Sequence, residues 1–266
     1  MIFDFHTHAF TESLAPAALR TLSREGGGLM PHTDGTLKDL KQKRAQAGVD
    51  GCAVLMIATK PAQMRRINDW AAENQSPDTP IFGTVHPDAP DALDELERIA
   101  ELGLKGLKLH PEYQRFYVDE PRALALYRKA ARLGLIVTLH AGMDVGFAPP
   151  WHNAPDRFLR ALGAFDGGPV VMAHLGGYMM WEQVLNTLCG LPVYLDTAYC
   201  HSRVIVPIAR RIVEKHGARR ILFGSDMPWS DVRLELQLID SLGLSEEEKR
   251  RVLGGNAAEL LNLHPR

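Results

Sequence analysis

Short apolar runs alternate with amphipathic stretches along the chain, and that alternation sets the first expectations. The strand-like runs are Ile2–His6, Gly51–Ile57, Ile81–Val85, Gly106–His110, Ile136–His140, Val170–His174, Val193–Asp196 and Ile221–Ser225. They are short, mostly apolar and lack clean alternation, as strands do when both faces of a parallel sheet are covered. Helical patterns separate them: Thr36–Ala47, Pro61–Ala72, Asp91–Leu102, Pro121–Leu133, Pro155–Phe165, Trp181–Cys189, Val204–Lys215 and Ser230–Leu242. Several open on Pro or Asp and close near Gly, the punctuation that helices prefer. Ser245–Leu253 and Asn256–Leu263 predict two further short helices. The stretch Ala9–Gly35 reads as a rim loop.

Repeated strand–helix units with right-handed crossovers predict an α/β fold, a closed (β/α)8 TIM barrel forming a single domain over 1–266. An open doubly wound sheet competes, but it wants fewer strands and a glycine-rich first turn. No GxGxxG or GxxxxGK[ST] follows any strand, so nucleotide binding has no support.

The 266 residues suit such a barrel, and a 45% hydrophobic, 23% charged composition is ordinary for a globular chain. A formal net charge of −2 gives no electrostatic case for nucleic acid or an anionic membrane. Cys52, Cys189 and Cys200 are scattered and form no CxxC pair, so each reads as a small core hydrophobe in a reducing compartment. No basic-then-apolar leader opens the chain and no apolar run is long enough for a membrane span. A cytoplasmic protein acting on a small molecule is the expectation.

Placing the histidines on this map changes the picture. His6 and His8 share one face of the first strand, the spacing with which two imidazoles chelate one ion. His86, His110, His140, His174 and His201 also fall at or just past the carboxyl end of a predicted strand, and Asp226 follows the eighth in the same way. In a barrel those ends meet at one rim, where barrel active sites lie. His140 precedes the small pair Ala141-Gly142, which leaves room for a ligand. Asp226 faces imidazoles and reads as a metal ligand or proton acceptor rather than a helix cap. His174 reads as a further ligand or as the group that polarises water and substrate. Asp4, on the face of His6, reads equally as a structural support or as an orienter of the ligands.

Weaker candidates surround this set. Lys108 shares a face with His110 and reads first as a cation in a substrate ion pair or structural network, a carbamate bridging two metals being the lesser reading. His110 reads as a support or a substrate contact, and Arg115, Arg203 and Lys60 as rim cations able to hold a carboxylate. Trp151, Tyr113, Phe116 and Phe147 would wall an apolar pocket or close loops over the barrel. His32, His152, His216 and His264 read as surface residues.

Taken in order, Asp4-Phe5-His6-Thr7-His8, Gly106-Leu107-Lys108-Leu109-His110-Pro111, Ala173-His174-Leu175-Gly176-Gly177, Phe223-Gly224-Ser225-Asp226-Met227-Pro228 and Gly254-Gly255-Asn256-Ala257-Ala258 resemble the amidohydrolase superfamily. More narrowly they resemble its amidohydrolase-related branch, which includes aminocarboxymuconate semialdehyde decarboxylase-like proteins. The resemblance implies a metal centre at the barrel rim, with His6, His8, His140 and Asp226 holding one divalent ion and His174 as catalytic acid/base. Zinc is the first choice of ion, with manganese or iron as substitutes, and a homodimer is implied as well. Strand four offers no bridging carboxylate and no glutamate of the TatD-like nucleases, which favours a single ion. Several family decarboxylases carry glutamate in place of the first histidine of His-x-His, and this chain keeps His6.

The first expectation is therefore hydrolysis of a C–N or C–O bond (an amide, ester or lactone) by a metal-activated water, with Asp226 or His174 taking its proton. Non-oxidative decarboxylation of a small unsaturated or aromatic acid is the alternative, with Arg115 or Arg203 holding the acid. A non-catalytic metal-binding barrel is the remaining one, and it would need a broken constellation.

Overall fold

Eight short parallel strands carry the fold in the computed structural model, which describes residues 1–263. They are β1 (Phe3–Thr7), β2 (Gly51–Leu55), β3 (Ile81–Phe82), β4 (Gly106–Leu109), β5 (Ile136–Leu139), β6 (Val170–Met172), β7 (Tyr194–Asp196) and β8 (Ile221–Leu222). Two arcs, β1-β2-β3 and β4-β5-β6-β7-β8, follow the chain order. Isolated bridges join them, Gly83 to Leu107 on one side and Thr7 to Met227 on the other, so the sheet closes into the predicted barrel.

Alternation along the strands sorts the core. Cys52, Val54, Ile81, Leu107, Leu109, Val137, Leu139, Val170, Met172 and Ile221 join one large cluster with helix residues such as Leu40, Met64, Leu96 and Leu126. The intervening Ala53, Leu55, Phe82, Ile136, Val171 and Leu222 form a second cluster with Phe3 and Phe5. Ala257 and Leu261 of the last helix, Asn256–Leu261, close that second cluster from below. Both barrel layers are thus filled by side chains, and chemistry is confined to the open rim. Cys52 and Cys200 are buried and Cys189 is half-buried, each with a free thiol.

Every predicted strand is present, but the ladder ends earlier than the apolar runs do. Pairing stops at Leu109, Leu139 and Met172, so His110, His140 and His174 stand beyond the ladder at the mouth. The stretch expected to be a loop, Ala9–Gly35, instead contains the helix Ala15–Glu25, which buries Ala15 and Leu19 and starts with Pro16 in its first turn. Ala18 and Leu22 lie half-buried on the same face, so the helical spacing is present, carried by two alanines and two leucines between loop signals. Four peripheral expectations also change or fall away. His216 is buried rather than exposed, its Nε2–H donating to the Val193 carbonyl at 2.9 Å. His152 sits half-buried against Glu112 at 2.8 Å, and Phe116 is fully buried in the core rather than walling a pocket. His264 lies outside the described residues. Among the described residues, no helix is long and apolar enough to cross a membrane.

Candidate metal centre

Asp4 sets the floor of the rim. Its buried carboxylate accepts from the backbone N–H of Ser225 at 2.9 Å and from the Ser225 hydroxyl, tying β1 to the segment after β8. Burial raises its pKa to about 7 against the pull of those donors. The clamp brings His6 and His8 against Asp226, whose backbone N–H donates to the His6 carbonyl at 2.7 Å. Asp226 itself adopts a left-handed backbone with φ of 69°. Gly224 makes the approach possible, because a Cβ there would stand 2.9 Å from the His6 Cβ.

Hydrogen bonds decide which imidazole nitrogens are free. His6 Nδ1–H donates to Asp196 Oδ2 at 2.8 Å, and His8 Nδ1–H donates to the Leu55 carbonyl at 2.8 Å. Both rings therefore turn an unprotonated Nε2 inward. The two nitrogens are 3.2 Å apart, and Asp226 Oδ1 lies 3.3 Å from one and 3.1 Å from the other. The three acceptors carry no hydrogen of their own; Lys108 Nζ reaches His6 Nε2 at 3.1 Å, but the close contacts of His8 Nε2 with Asp226 Oδ1 and with His6 Nε2 stay costly unless a cation stands at the centre. Ligands about 2.1 Å from one ion, at tetrahedral to octahedral angles, are roughly 3.0–3.4 Å apart, so the trio fits a divalent metal.

Electrostatics agree. Burial, with help from Lys108, lowers the His6 pKa to about 3, so the ring stays neutral and ready to ligate. Burial alone would raise Asp226. The close approach of His8 Nε2 and the nearby His6 and His174 rings reverse that and hold it far below the usual carboxylate range. Asp196 is likewise pushed up by burial but pulled down, to about 2, chiefly by His6. Sequence reading took Asp196 only as a strand end. It was findable by the rule that picked out Asp226, a carboxylate at the carboxyl end of a barrel strand. Its other oxygen accepts from the backbone N–H groups of His174 and Ala198 at 2.9 and 3.1 Å.

His174 adjoins the trio, its ring 5.3 Å from that of His6. Its backbone is left-handed, with φ of 59°, and Nδ1–H donates to the Ala198 carbonyl at 2.8 Å. Its free Nε2 then meets His140 Nδ1 at 3.0 Å. His140 Nε2 lies 3.0 Å from the Met143 carbonyl and must carry a proton to bond there, which leaves its Nδ1 bare too. Two lone pairs face each other across 3.0 Å, and one added proton or cation satisfies both.

The structure thus brings His6, His8 and Asp226 within mutual ligand distance, while His140 groups with His110 and Asp144. His110 stacks on His140 at 4.1 Å, and its Nε2 is 3.3 Å from Asp144 Oδ2. Asp144 lies on the loop after β5, where no spacing in the sequence singled it out. Burial would raise its pKa, but His110 lowers it and keeps it a carboxylate. Lys108 is fully buried with Nζ 3.1 Å from His6 Nε2, and burial lowers it to about 8 against the pull of Asp196 and Asp226. Arg203 places its guanidinium 5.8 Å over the Tyr199 ring, next to Tyr178, which borders His174. Arg115, Lys60 and Arg203 are all exposed, and His86 and His201 stand apart from both clusters.

A TIM barrel with a cation-demanding trio of two histidines and an aspartate at its mouth defines the class. Residues 3–263 match the model of the amidohydrolase family, and the chain belongs to that family. A curated relative, the 2-amino-3-carboxymuconate-6-semialdehyde decarboxylase of Dictyostelium discoideum, is 29% identical over 208 residues. That match covers 65% of this chain and 58% of the relative's length. Among solved structures, 5-carboxyvanillate decarboxylase from Sphingomonas paucimobilis superposes with a TM-score of 0.74 at 19% identity, covering 99% of each chain. Dihydroxybenzoic acid decarboxylase from Polaromonas sp., with bound manganese and the inhibitor 2-nitroresorcinol, gives 0.73 at 17% identity, covering 100% of this chain and 98% of that one. The two superpositions speak for the fold.

Proposed function

We propose that the chain is a metal-dependent decarboxylase of a small unsaturated or aromatic acid. The observation that carries the metal is the convergence of His6 Nε2, His8 Nε2 and Asp226 Oδ1 at 3.1–3.3 Å with no hydrogen among them. The relatives named above favour decarboxylation over the hydrolysis that the sequence put first. His6, His8 and Asp226 would hold the ion, while His140 Nδ1 stands 3.0 Å from His174 Nε2 and its ring groups with His110 and Asp144. Zinc suits two imidazoles and a carboxylate, and manganese, as in the Polaromonas enzyme, is the alternative. When bound, the ion supplies positive charge to hold and polarise an anionic substrate.

The chain's own residues do the rest. Asp196 fixes the His6 ring and its tautomer, and the Leu55 carbonyl does the same for His8. His174, anchored through Nδ1 on Ala198, offers Nε2 as the proton-carrying atom. Decarboxylation breaks the bond between the ring or vinyl carbon and its carboxylate, releases CO₂ and forms a C–H bond at that ring or vinyl carbon. The proton for that bond would come from His174 Nε2.

The test uses metal-loaded protein with panels of hydroxybenzoates and unsaturated acids, following CO₂ release, beside lactones, esters and amides, following acid production. CO₂ release from wild type, with His174→Asn keeping its metal but losing turnover by about 10²-fold or more, is the expected result. Acid release from a lactone, ester or amide without CO₂ would return the reading to hydrolysis. Full metal content in His6→Ala and His8→Ala would remove the centre itself.

A further inference from the structure

Two charged residues that the metal centre does not use stand on opposite sides of Tyr178. Backbone bonds stitch Tyr178 to the loop after β5: its N–H donates to the Ala141 carbonyl at 2.8 Å, and its carbonyl accepts from Met143 at 3.0 Å. Asp144, the next residue, therefore borders Tyr178 from that side. On the other side the Tyr178 ring lies 5.7 Å from Tyr199, over which the Arg203 guanidinium is held at 5.8 Å. The Tyr178 hydroxyl feels both charges, Arg203 lowering and Asp144 raising its pKa within a larger rise due to burial. Tyr178 in turn stands edge-on to His174 at 6.1 Å.

Arg203 is exposed and Asp144 half-buried at the rim. Tyr199 has a left-handed backbone, φ of 57°, and follows Ala198, whose carbonyl anchors His174. The residue under Arg203 thus directly follows the one that anchors the proton donor. Arg203 has no carboxylate partner among the described residues, in a protein where Arg98, Arg157 and Arg160 are all ion-paired. Asp144 is anchored by the Gly146 N–H at 2.8 Å and by His110 Nε2 at 3.3 Å, while His110 Nδ1 is buried without a partner. A carboxylate is repelled at the Asp144 end and has charge-assisted donors at the Arg203 end.

We infer that Arg203 and Asp144 set substrate orientation: the acid's carboxylate lies towards Arg203, and a hydroxyl or amino substituent donates to Asp144 across the ring. The inference rests on the decarboxylase reading for its substrate class, a hydroxy- or amino-substituted unsaturated or aromatic acid. It makes Arg203 and Asp144 binding residues, not proton donors.

Binding to the metal-loaded full chain tests it without turnover, using benzoate, benzamide and 3-hydroxybenzoate in titration calorimetry. Arg203→Met should weaken benzoate by about tenfold or more and leave benzamide unchanged, with Arg203→Lys recovering part of the loss. Asp144→Asn should abolish a preference for 3-hydroxybenzoate over benzoate that the wild type shows. Metal content and Tm of each variant establish that the site is intact, and Arg203→Lys alone decides the matter if Arg203→Met loses its metal. Equal weakening of benzoate and benzamide, or an unchanged hydroxybenzoate preference in Asp144→Asn, overturns the inference, as does a wild type that binds neither acid. Intact, Arg203-dependent binding with no CO₂ release would overturn only the decarboxylase reading.

Discussion

At the scale of single residues, hydrogen-bond bookkeeping decides more than proximity does. Eleven histidines occur in the chain, and His6 and His8 become candidate ligands because their Nδ1 protons are committed elsewhere while both Nε2 atoms face Asp226. His6 depends on a carboxylate buried with it, which predicts the effect of Asp196→Asn. The amide keeps the shape, but its neutral oxygen is a weaker acceptor for the imidazole N–H and its amino group misfits the His174 and Ala198 donors. Metal affinity should fall by about 10–100-fold, read by competition with a chelating dye, while the protein stays folded. Unchanged affinity would mean that Asp196 serves packing alone.

At the scale of elements, the barrel places chemistry by ending its strands early and fastening their loose ends. The last helix fastens the opposite end. Asn256, in the Gly254-Gly255-Asn256-Ala257-Ala258 motif, donates through Nδ2 to the Ala218 and Ile221 carbonyls, both at 2.7 Å. Asn256→Ala should strand two carbonyls where β8 begins and cost about 2–3 kcal/mol in urea unfolding, with metal content per folded molecule unchanged. Loss of metal in the folded variant would show that the lower helix also shapes the rim. Gly142 marks the corresponding fastening at the top, since a Cβ there would lie 2.2 Å from the Tyr178 backbone nitrogen.

At the scale of the whole molecule, buried acids tie stability to pH. Glu235 accepts from the Cys200 and His201 N–H groups at 3.1 and 2.9 Å and from the Ser230 hydroxyl at 2.7 Å, yet burial outweighs these and raises it to about 8. A carboxyl raised in this way supports folding fully below its unfolded value and loses that support as pH climbs through the folded one. Asp4, raised to about 7, acts in the same direction. His6, lowered to about 3, acts in the opposite one, its support being full above its unfolded value and lost as pH falls. Glu235→Gln isolates one of these: between about pH 6 and about pH 9 its Tm should fall less than that of wild type. Parallel curves for the two proteins would mean that Glu235 is already ionised in the folded protein throughout that range.

Period and punctuation alone determined the eight strands, the barrel and the rim on which His6, His8, His174 and Asp226 assemble, because each depends on local alternation or on the end of a strand. The helix Ala15–Glu25 does repeat Ala15, Ala18, Leu19 and Leu22 at helical spacing, but half of that face is alanine and Gly26-Gly27-Gly28 beside it signals a loop. Asp144 escaped because a loop has no period at all, and its place over His110 is set by backbone bonds to Tyr178, more than thirty residues downstream. His140 shows the division most clearly. Sequence put it at the correct rim, but only the folded chain decided that its Nδ1 faces His174 while its ring stacks on His110. A strand's end fixes where a side chain starts, whereas the orientation of a ring depends on which donors and acceptors the rest of the barrel brings to it.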